Sequence, residues 1–257
     1  MTITIPKRIS SALLSSLAAG VVPRIGLEYI AVGRTSEIKA ILRDLDNIAA
    51  GGAGFRIVVG RYGSGKSFLL QLIRNHAMDR GFVVADADLS PERRLTGSQR
   101  QGVATYRELM KNLATKTRPD GGALSAILER WIASIQMQVL RSTGLKQTDA
   151  AFLDAVEQQI MLVIGQMEGL VHGFDFASVL SSYWRGHRLG NDELKDAALR
   201  WLRGEFATKT DARRALGVRV IIDDDSWYDY IKLMAQLVVG IGYQGLVIIL
   251  DEMVNFY

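Results

Sequence analysis

From Glu37 to Ala50 the apolar positions Ile38, Ile41, Leu42, Leu45 and Ile48 recur at helical spacing, and Gly51-Gly52-Ala53-Gly54 then breaks the pattern. The next apolar run is of another kind. Phe55 to Val59 is compact and rich in β-branched residues, which predicts a buried strand of the sort found in parallel sheets. Gly60 to Gly65 reads as a glycine-rich turn. Lys66 to Met78 then carries Phe68, Leu69, Leu72 and Ile73 on one helical face, and Phe82 to Ala85 predicts a second short strand. Helix, strand, glycine loop, helix and strand in succession make a βαβ unit with its crossover. Ahead of this unit, Ile9, Leu13, Leu17 and Val21 recur every four residues, predicting a short amphipathic helix that ends near Gly20 and Pro23. Lys7 and Arg8 before this stretch imitate the charged start of a signal peptide, but Ser10, Ser11, Ser15 and Ser16 argue against one.

After Asp88 the periodicity is mainly helical. Tyr106 to Lys116, Leu124 to Leu140, Ala150 to Met167, Phe176 to Trp184, Asp192 to Arg203 and Asp211 to Leu216 all show it. Val218 to Ile222 suggests a strand. Asp223-Asp224-Asp225-Ser226 offers caps for a helix bearing Trp227, Tyr230, Ile231, Met234 and Leu237. Leu246 to Leu250 is a fully apolar strand running into Asp251-Glu252. The expected architecture is α/β: a parallel sheet with a long, mostly helical insertion. Residues 1–88 form the first part of the sheet domain, 89–217 the insertion, and 218–257 the continuation. A sheet that stops one turn after such a strand lacks further strands, so the chain is expected to be a piece of a longer protein.

Composition narrows the class. The 257 residues are 48% hydrophobic and 23% charged, as in ordinary globular proteins, and zero cysteines exclude disulfides, thiolate zinc sites and cysteine nucleophiles. No apolar stretch approaches the roughly 18 to 20 residues of a membrane span, so a cytoplasmic protein without membrane attachment is expected.

Gly60-Arg61-Tyr62-Gly63-Ser64-Gly65-Lys66-Ser67 matches G-x-x-x-x-G-K-[ST] at every fixed position. In such a loop, successive backbone N–H groups converge on a phosphate, glycines permit close approach, and the following helix aims its dipole at the same anion. Lys66 would reach the β- and γ-phosphates of ATP and Ser67 would coordinate Mg²⁺. An acid at the end of a buried parallel strand lies at the sheet edge where ligands bind. Asp251 is therefore expected to hold the metal and Glu252 to polarise the attacking water, making Lys66 and Glu252 the catalytic pair. Asp86 and Asp88, after the second strand, are candidates for a secondary role, or mark simple strand termination.

Ile30-Ala31-Val32-Gly33-Arg34-Thr35-Ser36-Glu37 adds a third element about 27 residues ahead of the loop. A "VGR" turn entering a helix, then a strand and a phosphate loop, resembles AAA+ ATPases of the ORC/Cdc6 and STAND kind. The resemblance implies that Val32, Gly33 and Arg34 lie beside the adenine. Gly20-Val21-Val22-Pro23, Ala198 to Glu205 and Gly242-Tyr243-Gln244-Gly245-Leu246 resemble more narrowly the ATP-binding proteins of BREX-type phage-defence loci, the BrxC/BrxD group. That resemblance implies ATP hydrolysis coupled to conformational change, in a homo-oligomer or with DNA and other defence-system proteins. Rival readings are a nucleotide-gated scaffold with little turnover, a small-molecule kinase, and a DNA-binding module carried by the insertion.

Charge is uneven. Between Ser90 and Arg118, seven basic residues (Arg93, Arg94, Arg100, Arg107, Lys111, Lys116, Arg118) face only Glu92 and Glu108, giving +5 and leaving the rest near −1. A DNA-facing loop and a solvated helix face are both open readings. The cluster Arg200, Arg203, Lys209, Arg213, Arg214 and Arg219 poses the same choice. Trp131, Trp184, Trp201 and Trp227 fall in helical patterns, as core residues do. His76, His172 and His187 are scattered, with no ligand spacing for a transition metal.

Overall fold

The computed structural model describes residues 4–97 and 99–253. Helix α1 (Lys7–Ala18) and a short 3₁₀ turn (Leu27–Tyr29) lead to α2 (Thr35–Ala49), which buries Ile41 and Leu45 on one face. Helix α3 (Lys66–Asp79) then precedes strand β1 (Val83–Asp88). A helical series follows: α4 (Gln101–Lys111), α5 (Leu124–Thr143), α6 (Ala150–Glu168), α7 (Gly173–Leu189), α8 (Asp192–Leu202), α9 (Lys209–Leu216) and α10 (Trp227–Gly240). Strand β2 (Leu246–Asp251) closes the order. Caps explain several of these starts: the Asn191 side chain accepts from the Leu194 N–H at α8, and Thr208 accepts from the Asp211 N–H at α9.

Among the described residues the sheet has two strands, β1 and β2, paired in parallel with Val83 opposite Leu246 and Asp88 opposite Asp251. Parallel neighbours need a long crossover, and here the whole helical series supplies it. One buried cluster runs without a break from Val83, Ala85 and Ala87 through Tyr106, Trp131, Trp184 and Trp201 to Tyr230 and Leu237. The Tyr106 hydroxyl donates to the Leu202 carbonyl at 2.7 Å, joining α4 to the end of α8 inside that core. A smaller cluster of Leu45, Ala77, Met78, Phe82, Val84 and Ile249 fills the other face of the strands, under α2 and α3. All four tryptophans are buried, as their helical spacing predicts.

Three expected elements differ. Phe55 to Val59 is not a strand: its backbone makes no hydrogen bond, and Phe55 and Val59 are 88% and 90% exposed. Apolar β-branched composition makes a strand only where a ladder partner lies alongside, and among the described residues β2 pairs with β1 alone. The Arg56–Asp44 ion pair at 2.7 Å ties the segment to α2. Val218 to Ile222 is irregular as well. Val218 and Ile222 are buried, but the Val220 carbonyl accepts the Trp201 indole N–H at 2.9 Å instead of a ladder partner. The helix expected over Tyr106 to Lys116 spans Gln101–Lys111, because Ala114 exchanges backbone hydrogen bonds with Val84 on the free edge of β1.

Burial thus separates two apolar positions that look alike in sequence. Leu109→Ala, fully inside the core, should cost about 2–5 kcal/mol, while Ile57→Ser on the exposed segment should change stability by less than about 0.5 kcal/mol. Urea unfolding midpoints of the two variants check this.

Candidate functional site

The carboxyl end of β2 and the amino end of α3 meet. The Ser67 hydroxyl donates to Asp251 Oδ2 at 2.6 Å, across 184 residues of chain. Ahead of Ser67 the glycine-rich loop turns tightly, with the Ser64 N–H on the Arg61 carbonyl and left-handed φ values of 76° at Gly63 and 81° at Gly65. Two glycines also lie close against side chains. A Cβ on Gly60 would fall on the Ser64 hydroxyl, and one on Gly65 would lie 3.2 Å from the Arg34 guanidinium. Helix α3 starts directly at Gly65, so the positive end of its dipole and its unpaired first-turn N–H groups open at the loop. Lys66 curls back over it, donating to the carbonyls of Gly60 at 3.1 Å and Arg61 at 3.2 Å. Arg34, at the head of α2, donates to the Ser64 carbonyl and pairs with Glu37 at 3.2 Å. Residues 34, 60–67 and 251 thus converge from three distant stretches of sequence.

The chain over residues 5–257 matches the family described as BREX system ATP-binding protein BrxC/D. It belongs to that family. No curated protein and no solved structure matches it. The family description names ATP as the ligand, and an anion cradle at a helix amino end beside a carboxylate is suited to one.

Other groups of this BrxC/D-family chain stand around the same edge. Strand register sets Asp88 beside Asp251, and desolvation, then repulsion from Asp251, raises the Asp88 pKa above the ordinary carboxylate value, with Arg93 opposing. Asp86, two residues earlier on β1, pairs at 2.9 Å with Arg74 of α3, which braces the helix against the strand. That brace has no local sequence signal, since the two residues are 12 apart on different elements. Asp251 Oδ1 accepts from the Glu252 N–H at 2.9 Å, and Glu252 adopts φ 55°, left-handed for a non-glycine residue. Such strain persists only where neighbours enforce it. Val32 and Tyr62 are not drawn into the convergence: Val32 is almost fully exposed and Tyr62 wholly so. Among the described residues no three His, Cys, Asp or Glu side chains form a metal cluster, and no helix is long and apolar enough to cross a membrane.

The basic stretch after β1 is largely engaged within the chain. Arg93 pairs with Glu108 at 3.5 Å, Arg100 donates to the Phe206 and Ala207 carbonyls, and Arg107 donates to the Gly204 carbonyl at 2.6 Å. Lys111 and Lys116 pair with Glu108 and Asp79. Of the second cluster, Arg203 pairs with Glu205 and Arg200 lies over the Phe206 ring.

The loop geometry separates two glycines. Gly65→Ala meets both the left-handed φ and the Arg34 guanidinium, whereas Gly63→Ala meets the φ alone, with nothing within 4 Å of its Cβ. Gly63→Ala should cost about 1–2 kcal/mol, and Gly65→Ala more, as chemical denaturation of the two variants will show.

Proposed function

We propose that this chain is a P-loop ATPase of the AAA+ kind, in which residues 60–67 are the Walker A loop and Leu246 to Glu252 the Walker B strand. The observation that carries the reading is the Ser67–Asp251 contact at 2.6 Å, which puts a hydroxyl and a carboxylate oxygen at one point beside the loop. Hard oxygen donors of this kind suit Mg²⁺, and with no cysteine in the chain and no histidine in the convergence nothing favours a softer metal. The glycine positions that a Cβ would fill suit a phosphate lying close against backbone N–H groups.

In this reading Ser67 and Asp251 hold the magnesium ion, which supplies charge neutralisation at the phosphate oxygens when bound. Lys66 exchanges the carbonyls of Gly60 and Arg61 for the β- and γ-phosphates, an exchange of neutral acceptors for charged ones. The loop N–H groups and the α3 amino end orient the triphosphate. Glu252 accepts a proton from the attacking water, and its enforced backbone conformation supports a positioned rather than a wandering carboxylate. Arg34 holds the Ser64 carbonyl and so shapes the loop; that Val32 and Gly33 lie beside the adenine rests on the resemblance alone, since Val32 is almost fully exposed. Asp88 adds a carboxyl group at the same edge, where desolvation and then the neighbouring Asp251 raise its pKa.

Residues 1–88 and 218–257 form the ATPase part of the chain and 89–217 its helical insertion. The cycle of binding and hydrolysis drives a conformational change in a cytoplasmic, DNA-associated phage-defence complex, in which the chain works as an oligomer. The internal engagement of the basic stretch favours a nucleotide-driven role over DNA binding by the insertion alone.

Turnover assays and ATP titrations test the reading. Glu252→Gln should retain ATP and lose turnover by about 10²–10⁴-fold. Lys66→Ala should weaken ATP binding by about 10–100-fold, the loss of a charge-assisted hydrogen bond. Chelation of divalent cations should abolish turnover. Tight ATP binding with equal, near-zero rates in wild type and Glu252→Gln would show a scaffold, and no ATP binding at all would sink the proposal.

A further inference from the structure

A cleft of about 710 Å³ lies in the helical part of the molecule, between α6, α7 and the turn that follows α9, away from the glycine-rich loop. Its size is that of small-molecule sites, which run to roughly 300–1,000 Å³. Trp184, Ser182, Leu216 and Val218 are buried along it, so the walls are held by the core.

The two ends of the cleft differ in chemistry. Near the amino end of α7, Phe174 lines it with 67% of its surface exposed, next to Asp175. An aromatic ring open to solvent beside a carboxylate is suited to stack on a flat ring and to accept a hydrogen bond from an amino group on that ring. Toward the carboxyl end of α7 lie Arg185 and Arg188, with Arg219 contributed by the turn after α9. Arg188 pairs with Glu157 across the cleft, which neutralises that carboxylate. Arg185 and Arg219 have no hydrogen bond or ion pair among the described residues, so their planar donor forks are available to an anion.

Spacing links the two ends. Phe174, Ser178, Ser181, Arg185 and Arg188 follow intervals of four, three, four and three, a single stripe along α7. Phe174 and Arg185 are eleven residues apart, about 16 Å along the axis, and because both side chains lean toward the amino end the gap closes only by the greater reach of the arginine. A ring joined through a sugar to a phosphate, with the guanidinium gripping it from beyond, covers much of that distance. The hydroxyls of Ser178 and Ser181 lie between, donating to the carbonyls of Phe174 and Ala177.

We propose that this cleft is a second ligand site, separate from the glycine-rich loop, that binds a small anion made of a planar amino-bearing ring and a phosphate, as in a nucleoside monophosphate. Phe174 stacks on the ring, Asp175 accepts from its amino group, and Arg185 and Arg219 grip the phosphate. Asp175 turns away rings that present an acceptor at the amino position. Burial raises the Asp175 pKa, with His172 opposing, as befits a carboxylate that gains a donor only when the ligand arrives.

The test is calorimetric titration of AMP into protein carrying Lys66→Ala, which disables the loop, with Arg185→Ala, Arg219→Ala and Phe174→Ser each added in turn. Saturable AMP binding is expected, weakened at least tenfold by each arginine change, with adenosine and ribose 5-phosphate binding more weakly than AMP. IMP, lacking the amino group, should bind worse than AMP, and Asp175→Asn should narrow that difference. Phe174, Arg185 and Arg219 are exposed, Lys66 and Asp175 are partly buried, and circular dichroism confirms that each variant folds. The same ring-and-phosphate unit occurs in single-stranded DNA, so an oligo(dA) titration runs in parallel. Absence of AMP binding at millimolar concentration, AMP binding indifferent to Arg185 and Arg219, or oligo(dA) binding without AMP binding would each overturn the proposal.

Discussion

The parallel pairing of β1 with β2 is the constraint on which the remainder of the molecule depends. Two strands that run the same way cannot be joined by a tight turn, so the chain between them must leave one end of the sheet and return to the other. Among the described residues it does so through seven helices, and their buried cluster continues directly from Val83, Ala85 and Ala87. Pairing also fixes chemistry. Because Asp88 stands opposite Asp251, both carboxylates fall on one edge, and α3, packed on the same two strands, delivers Ser67 to that edge. A slip of one residue in the register would turn Asp251 to the opposite face and break the convergence.

Much of this was legible in the amino-acid order because it is carried by local patterns. The glycine-rich octapeptide, the apolar stripe of α3 and the apolar run of β2 each announce themselves within a dozen residues. The Ser67–Asp251 contact follows from them only when the intervening chain closes as a crossover. Arg34 was marked through a resemblance, and its bond to the Ser64 carbonyl emerges from the fold. The pairing of Arg74 with Asp86 was not legible at all, since a salt bridge between two elements leaves no periodic trace. Apolar composition misled at Phe55 to Val59 and at Val218 to Ile222. Composition reports what a segment tolerates, while a strand also needs a neighbour, and at Val220 an indole took the place of one.

The basic residues illustrate the same limit. A net charge of +5 over Ser90 to Arg118 suggests a polyanion, but charge counted along a sequence does not reveal where the partners lie. Glu108 satisfies Arg93 and Lys111 together, and carbonyls of residues 204, 206 and 207 accept from Arg107 and Arg100. These contacts stitch α4 to the end of α8, so much of the cationic character serves cohesion within the helical part. Arg185 and Arg219 differ because nothing among the described residues claims them.

The bare backbone leading into the glycine-rich loop has a thermodynamic consequence. Residues 55–59 deliver the loop without a ladder on either side, so its placement rests on the Arg56–Asp44 pair, Arg34, Lys66, the turn itself and the start of α3. A guest that immobilises a loop must offset the freedom it loses, about 1–2 kcal/mol for each residue brought to rest. Whatever stiffens the approach in advance therefore sharpens the grip on the guest, and a contact made far from the anion becomes a dial on its affinity.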